Sequence, residues 1–189
     1  MYIDRILSPI EVLGPGKRLV IWTKGCSKHC KGCANPELWS TVSSRDYAVD
    51  DVFVMIKNVY NDQPFEGITI SGGDPLEQKD EMLKLIPMLR ELVDDILVYT
   101  GYELKDIETN WGTEEFGILK KNVSVLIDGP YIEEQNDGFS ALVGSTNQHI
   151  YYFDEKVKEK YEKYICAGRK IHNVYMGNKL VSVGIHNKN

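Results

Sequence analysis

The sequence has no long run of basic residues and no long run of apolar ones. Its 189 residues include 22 Lys and Arg against 28 Asp and Glu, a net charge of −6, and an acidic chain repels phosphate backbones at long range. The apolar stretches, such as residues 19–22, are far shorter than the roughly 20 residues that span a bilayer. The N-terminal residues also lack the apolar core of a secretory signal. These absences predict a cytoplasmic protein that binds neither nucleic acid nor a membrane.

Cysteine is scarce, and its distribution is uneven. The chain has four cysteines, of which three fall within eight residues. A secreted disulfide scaffold spreads its cysteines along the chain, whereas a metal or a cluster needs them close together. The spacing therefore indicates a reducing compartment and a metal or cluster site. The fourth cysteine, Cys166, has no paired spacing and is expected to be a lone thiol.

The body of the chain has the pattern of an α/β protein. Hydrophobic residues make up 42% and charged residues 26%, the balance of a globular domain. Short β-rich runs alternate with helical patterns, which is typical of parallel βα units. The predicted strands cover residues 19–23, 67–71, 96–100 and 123–127.

The helical patterns and the tail complete this outline. One helix is predicted over residues 52–60. A second is predicted to start at a capping box formed by Asp74 and Glu77 and to be kinked or split at Pro87. After about residue 151, a solvated helix over residues 154–164 is followed by a small hairpin of residues 171–175 and 180–185.

Polar or Gly-rich motifs follow each of the four predicted strands. They occupy residues 23–26, 71–74, 100–102 and 128–130. In parallel α/β sheets and barrels, ligands bind at the carboxyl ends of the strands. The four segments therefore predict one binding site at one edge of the sheet.

The clustered cysteines have the spacing C-x₃-C-x₂-C, at Cys26, Cys30 and Cys33. Three thiolates on so short a loop can bind three corners of an iron–sulfur cube, and Gly25 and Gly32 let the backbone bend close to it. Electron-transfer clusters of this type have four cysteine ligands, so the trio leaves one iron free for a ligand from outside the protein. The alternative is structural zinc with His29 as fourth ligand, although the paired knuckles typical of zinc sites do not occur.

Five segments of the chain carry a resemblance to a known family. The chain resembles the activating proteins of anaerobic ribonucleoside-triphosphate reductases, which belong to the radical S-adenosylmethionine (SAM) superfamily, over roughly its first 150 residues. The matching segments are GPGKRLVIWTKGCSKHCKGC (14–33), ISGGDPL (70–76), YTGY (99–102), LIDG (126–129) and GSTNQ (144–148).

The resemblance implies a fold and a division of the chain. The expected fold is α/β, a partial, laterally open (β/α) radical SAM barrel, because a closed barrel needs about 250 residues. Residues 1–150 would form the radical SAM core, and residues 151–189 a short helix-plus-hairpin extension of the same domain. An open side can admit a loop from another protein.

The resemblance also implies two cofactors and a set of residues that bind them. A [4Fe–4S] cluster on the three cysteines would bind SAM through its open iron. Asp128 stands where related proteins place a SAM-contacting Asp, although it could equally cap a turn. The residues expected to bind SAM are Gly32, Cys33, Ala34, Gly72, Gly73, Asp74, Thr100 and Asp128.

The function implied is that of a glycyl-radical activating enzyme. One electron, from a donor of the reduced flavodoxin or ferredoxin type, would cleave SAM to methionine and a 5′-deoxyadenosyl radical. That radical would remove hydrogen from a backbone glycine of anaerobic ribonucleoside-triphosphate reductase. Two alternatives remain open: a small radical SAM enzyme that acts on another protein or peptide, and a non-catalytic iron–sulfur carrier or sensor.

Overall fold

The fold is built on one six-stranded sheet, seen in a computed structural model that describes residues 1–186. The strands follow one another in chain order across the sheet. Strands β2 to β5 are parallel, and β1 and β6 pair antiparallel at the two edges. The strands are β1 (Ile3–Ile10), β2 (Arg18–Thr23), β3 (Gly67–Gly72), β4 (Ile96–Tyr99), β5 (Val125–Asp128) and β6 (His149–Tyr152).

All four predicted strands are present, and the two edge strands are additions to the prediction. The fourth strand begins at Val125, two residues later than predicted. Every residue of β2 is buried, as expected for a parallel strand covered on both faces. The sheet is therefore mixed. The partial radical SAM barrel and the division at residue 150, which falls within β6, stay predictions.

Helices cover one face of the sheet. The apolar faces of α1 and α2 pack there against β2, β3 and β4, and α3 and α4 complete the layer. No helix within residues 1–186 combines the length and apolar character needed to cross a membrane. The helices of this layer are α1 (Val49–Asp62), α2 (Lys79–Leu89), α3 (Leu104–Asn110) and α4 (Thr113–Asn122).

Two details of the predicted second helix were wrong. Asp74 caps a short 3₁₀ helix, Pro75–Gln78, and α2 begins only after it. Glu77 does not close a capping box, because its carboxylate binds Ser27 of the cysteine loop instead. Helix α2 also continues through Pro87 and ends at Leu89, so the predicted split is wrong, while a kink at Pro87 stays a prediction. A proline so close to a helix end removes one backbone hydrogen bond. Helix α2 persists despite this loss because its apolar face is buried.

The predicted solvated helix is instead packed against the sheet. Helix α5 (Lys158–Cys166) places Tyr161, which is fully buried, against Leu97 and Val125 on the face opposite α1 and α2. Its Lys and Glu side chains occupy the remaining faces. The hairpin is confirmed as β7 (Ile171–Met176) and β8 (Lys179–Gly184), which pair antiparallel across a turn at Gly177 and Asn178.

A buried ion pair fastens α5 to the amino-terminal edge of the parallel strands. Arg18, at the start of β2, is wholly buried, and its Nη1 lies 3.0 Å from Asp95 Oδ2. The Tyr161 hydroxyl donates to Asp95 Oδ1 at 2.7 Å, and Lys160 Nζ lies 2.5 Å from Asp95 Oδ2. Burial acts to raise the pKa of Asp95, but the Arg18 charge and these donors hold it below its usual value.

Candidate functional site

A cavity of about 520 Å³ opens at the carboxyl ends of the parallel strands. Because β2 to β5 run in the same direction, the loops that follow them meet at this edge, as the sequence predicts. Nearly all of the predicted site residues line this one cavity. They are Cys26, Cys30, Gly32, Cys33, Ala34, Gly72, Gly73, Asp74 and Thr100.

The cysteine loop is held to its surroundings by backbone hydrogen bonds. Gly25 N–H donates to the carbonyl of Leu38 at 2.8 Å, and Cys26 N–H donates to the carbonyl of Trp39 at 3.0 Å. Glu77 accepts a hydrogen bond from Ser27 N–H at 3.0 Å. The three thiols are free and half-buried. They are therefore presented to the cavity by a loop whose base is fixed.

Burial raises the pKa of the Cys26 and Cys30 thiols. Thiolates, not thiols, ligate iron, so binding of a metal there releases protons. His29, the fourth ligand of the zinc alternative, is exposed and its ring lies against Trp39, with 4.8 Å between ring centroids. Over residues 1–186, no group of three or more His, Cys, Asp or Glu side chains is arranged to share a single metal ion, whereas the thiolates of an iron–sulfur cluster each bind a different iron.

The glycine turn after β3 packs directly against the start of the cysteine loop. Gly72 has φ +122, and a Cβ at this position would collide with the backbone of Thr23. A Cβ at Gly73 would collide with the carbonyl of Gly25. Gly73 N–H donates to the carbonyl of Thr23, and Asp74 N–H to that of Gly25, both at 2.8 Å. Only glycine lets these two segments approach so closely.

Asp74 connects this turn to the loop after β4. Its carboxylate is 1% exposed and accepts hydrogen bonds from the Thr100 hydroxyl at 2.9 Å and from Gly101 N–H at 2.8 Å. It also accepts from Leu76 N–H at 3.0 Å. Burial raises the pKa of Asp74 to about 6. Its acceptor capacity is largely used within the protein, so it positions Thr100 and Gly101 at the cavity wall.

Asp128 lies at the end of β5 but is not among the residues that line the cavity. Its carboxylate accepts hydrogen bonds from Leu104 N–H at 2.7 Å and from His149 N–H at 3.2 Å. It thus binds the amino-terminal end of α3 and the start of β6. This geometry favours a structural role for Asp128, which holds α3 and β6 and not the turn before Pro130, and a contact with SAM stays a prediction.

Comparison with known proteins identifies the family. A family model described as a 4Fe-4S single cluster domain matches residues 12–151. An anaerobic ribonucleoside-triphosphate reductase-activating protein from Haemophilus influenzae is 36% identical over 156 residues, which cover 77% of this chain and 94% of that protein. The chain belongs to this family of activating proteins. Proteins of the same name from Vibrio cholerae and phage T4 are 33% and 31% identical, with 77% and 80% of this chain and 94% of each relative covered.

The site fits the cofactors of the activating-protein family, a [4Fe–4S] cluster and SAM. Soft thiolates are the ligands that iron–sulfur clusters take, and three free cysteine thiols face one cavity. Beside them, the Gly72–Gly73 backbone lines the same cavity and, having no Cβ, packs directly against the backbone of Thr23 and Gly25. Cys26, Cys30 and Cys33 would hold the cluster, and a contact between the glycine turn and SAM stays a prediction.

Several cavity-lining residues of this activating protein went unpredicted. Gln148 donates to the carbonyl of Gly129 at 2.9 Å and accepts from Gly144 N–H at 2.8 Å. It thereby holds the loop after β5 in place. The sequence signal that could have identified Gln148 is the GSTNQ segment, residues 144–148. Glu133 lies beside Gly32, where a Cβ would stand 2.9 Å from its Oε1. Arg5 lies over the Trp22 ring at 4.8 Å, and its buried Nε has no hydrogen-bond partner among residues 1–186.

Proposed function

We propose that this chain is the iron–sulfur, SAM-dependent enzyme that activates an anaerobic ribonucleoside-triphosphate reductase by removing hydrogen from one of its backbone glycines. The observation that carries the proposal is that the three thiols and the glycine turn line one cavity in a member of the activating-protein family. The chemistry that the bound cofactors supply is one-electron reductive cleavage of SAM, which yields a radical able to remove that hydrogen.

The chain's own residues bind, orient and shield these cofactors. Cys26, Cys30 and Cys33 ligate the cluster and leave one iron for SAM. The backbone of Gly72 and Gly73 receives the methionine part of SAM, while Asp74 fixes the neighbouring wall through Thr100. Gly32 and Ala34 contact SAM beside the cluster. Asp128, at the end of β5, is a further SAM contact in this proposal, and its carboxylate also binds two backbone N–H groups.

The electron donor, the compartment and the entry of the partner complete the proposed function. The electron donor is a reduced flavodoxin or ferredoxin, because a cluster of this type is reduced by a low-potential one-electron carrier. The protein works in the cytoplasm, where thiols stay reduced. The sheet forms part of a laterally open radical SAM barrel, whose open side admits the glycine of the partner.

The test is anaerobic reconstitution of the purified protein with iron and sulfide, followed by three measurements. These are the cluster absorbance, the 5′-deoxyadenosine formed from SAM under reduction, and the glycyl radical signal on added reductase by electron paramagnetic resonance. Cys30→Ala should abolish SAM cleavage and leave the circular dichroism spectrum unchanged, because the loop lies at the edge of the sheet. Cys166→Ala is the matched control, because this thiol is exposed and lies on α5.

Each alternative function gives a different result. A cluster that forms without cleaving SAM would indicate a carrier or sensor. Cleavage of SAM with no glycyl radical on the reductase would indicate another protein or peptide substrate. Protein that retains only zinc, or that unfolds on Cys30→Ala, would contradict the proposal at its base.

A further inference from the structure

The carboxyl-terminal hairpin, β7–β8, lies outside residues 12–151, which match the family model, yet it forms part of the cavity wall. The strand β8 ends at the cavity, and the residues that follow it continue along the wall. The hairpin residues that line the cavity are Ser182, Val183, Gly184, Ile185 and His186. This extension therefore takes part in the site and is not a remote appendage.

The inner face of the hairpin is packed on the body of the protein. His172 pairs with Val183, and Val174 with Val181, so these side chains share one face. Val183 is 3% exposed and packs in a cluster that includes Trp22. Arg169, just before β7, donates to the carbonyl of Ser140 and to that of His186, both at 3.0 Å. The hairpin is thus held in place at both its base and its inner face.

The outer face of the hairpin carries large apolar side chains that nothing in residues 1–186 covers. Tyr175 pairs with Leu180 across the strands, and Ile171 pairs with Gly184. Tyr175 is 77% exposed, Leu180 56% and Ile171 47%. These are three of the eight large hydrophobic side chains that are exposed within residues 1–186, and a fourth, Met176, lies on the same hairpin but on its inner face. Such clustering of exposed apolar residues marks interaction surfaces.

This outer face is continuous with the cavity. Alternate residues of a strand share a face, so Leu180, Ser182 and Gly184 follow one another along the outer side of β8. Ser182 and Gly184 of this outer face line the cavity, together with Val183 of the inner face. At about 3.3 Å per residue, the apolar surface at Leu180 lies about 13 Å along the strand from Gly184. A segment of chain laid along the outer face would therefore lead into the cavity.

We propose that the outer face of the hairpin, formed by Ile171, Tyr175 and Leu180, is the docking surface for the glycine-bearing segment of the reductase. This inference rests on the proposed function, because hydrogen removal requires a backbone glycine of the partner to enter this cavity. The chain on one side of that glycine must then cross a surface that borders the opening. The hairpin supplies such a surface, and its uncovered aromatic and aliphatic side chains are of the kind found in the buried cores of protein interfaces.

The test compares wild-type protein with Tyr175→Ser and Leu180→Ser, all carrying the reconstituted cluster. Val54→Ser is the matched control, because Val54 is 54% exposed on α1 in the helical layer. SAM cleavage is measured without reductase, and glycyl radical formation is measured against reductase concentration. Each hairpin variant should raise the concentration for half-maximal radical formation about tenfold. SAM cleavage without reductase should stay at the wild-type rate.

The outcomes separate this inference from the function on which it rests. If the wild type forms no glycyl radical, the proposed function fails. If the wild type forms the radical and the hairpin variants match it or match Val54→Ser, the docking surface is refuted while the function stands. Loss of SAM cleavage in the variants without reductase would also refute it, because the hairpin would then serve the cofactors. Concentration-dependent self-association that Tyr175→Ser abolishes, with radical formation unchanged, would assign the face to a second copy of the chain.

Discussion

Replacing Asp95 with Asn tests whether the buried ion pair at the amino-terminal edge of the sheet stabilises the fold. The substitution keeps the shape of the side chain and removes its charge. Arg18, which is wholly buried, would then carry a charge without a counter-ion. Removing one partner of a buried pair costs about 3–5 kcal/mol.

The surroundings of Arg18 place the expected loss of unfolding free energy at the lower end of that range. Arg18 keeps its hydrogen bonds to the Thr69 hydroxyl at 2.7 Å and to the carbonyl of Ile68 at 2.7 Å. Lys160 is 41% exposed, so its ammonium can turn to water. We therefore expect Asp95→Asn to lower the free energy of unfolding by about 3 kcal/mol, a large share of the roughly 5–15 kcal/mol typical of a domain.

The assay is urea unfolding of cluster-free protein, followed by tryptophan fluorescence and circular dichroism so that loss of the cluster does not enter the transition. Asp94→Asn is the control, because that side chain is 97% exposed one residue away. The midpoint should fall for Asp95→Asn with the slope unchanged. A loss below about 1 kcal/mol, or one equal to that of Asp94→Asn, would refute the reasoning.

The glycine turn, the Tyr161 hydroxyl and the titration of Asp95 provide three further tests. Gly72→Ala should reduce SAM cleavage at least about tenfold, because its φ of +122 and the Thr23 backbone leave no room for a methyl group. Gly117→Ala is the control, because a Cβ there would meet no atom of residues 1–186 within 4 Å, and it should keep activity and gain up to about 1 kcal/mol of stability. Tyr161→Phe should lower the free energy of unfolding by about 1.5 kcal/mol, since it removes the hydroxyl bound to Asp95, and an unchanged thermal midpoint would contradict this. Folding lowers the pKa of Asp95. The stabilisation that Asp95 contributes should therefore be full above its unfolded pKa of about 4 and should disappear as pH falls through its folded pKa. A difference in unfolding free energy between wild type and Asp95→Asn that stays constant in acid would contradict this.

The parallel strands could be predicted from sequence, and the two edge strands could not. Strands β2 to β5 are buried on both faces, so they leave continuous apolar runs in the sequence. Strand β1 contains Asp4, Arg5 and Pro9, and no residue of β6 is fully buried. Their pairing depends on the neighbouring strand more than on their own composition.

The position of α5 is a second case, and here a signal was present. Val157, Tyr161, Tyr164 and Ile165 recur at helical spacing within the Lys- and Glu-rich segment and pack on one cluster. The density of charge hid this narrow apolar stripe. A helix that is charged on most of its circumference can still bury one aromatic side chain completely.

The residues of the candidate site also divide into those that the sequence could predict and those that it could not. The cysteines and glycines could be identified because their chemistry and their backbone conformations are specific to residue type. A carboxylate at the end of a strand is less specific. Whether Asp128 contacts a ligand or binds backbone N–H groups depends on Leu104 and His149, which only the folded chain brings to it.

The hydrogen bonds between the cysteine loop and the glycine turn have a consequence for assembly. The carbonyls of Gly25 and Thr23 accept hydrogen bonds from the N–H groups of Asp74 and Gly73. These backbone hydrogen bonds hold the two segments together, so no iron is needed between them. We expect these two segments to keep their structure when oxygen damage removes the metal. Repair would then require only fresh iron and sulfide, and the chain would not have to refold.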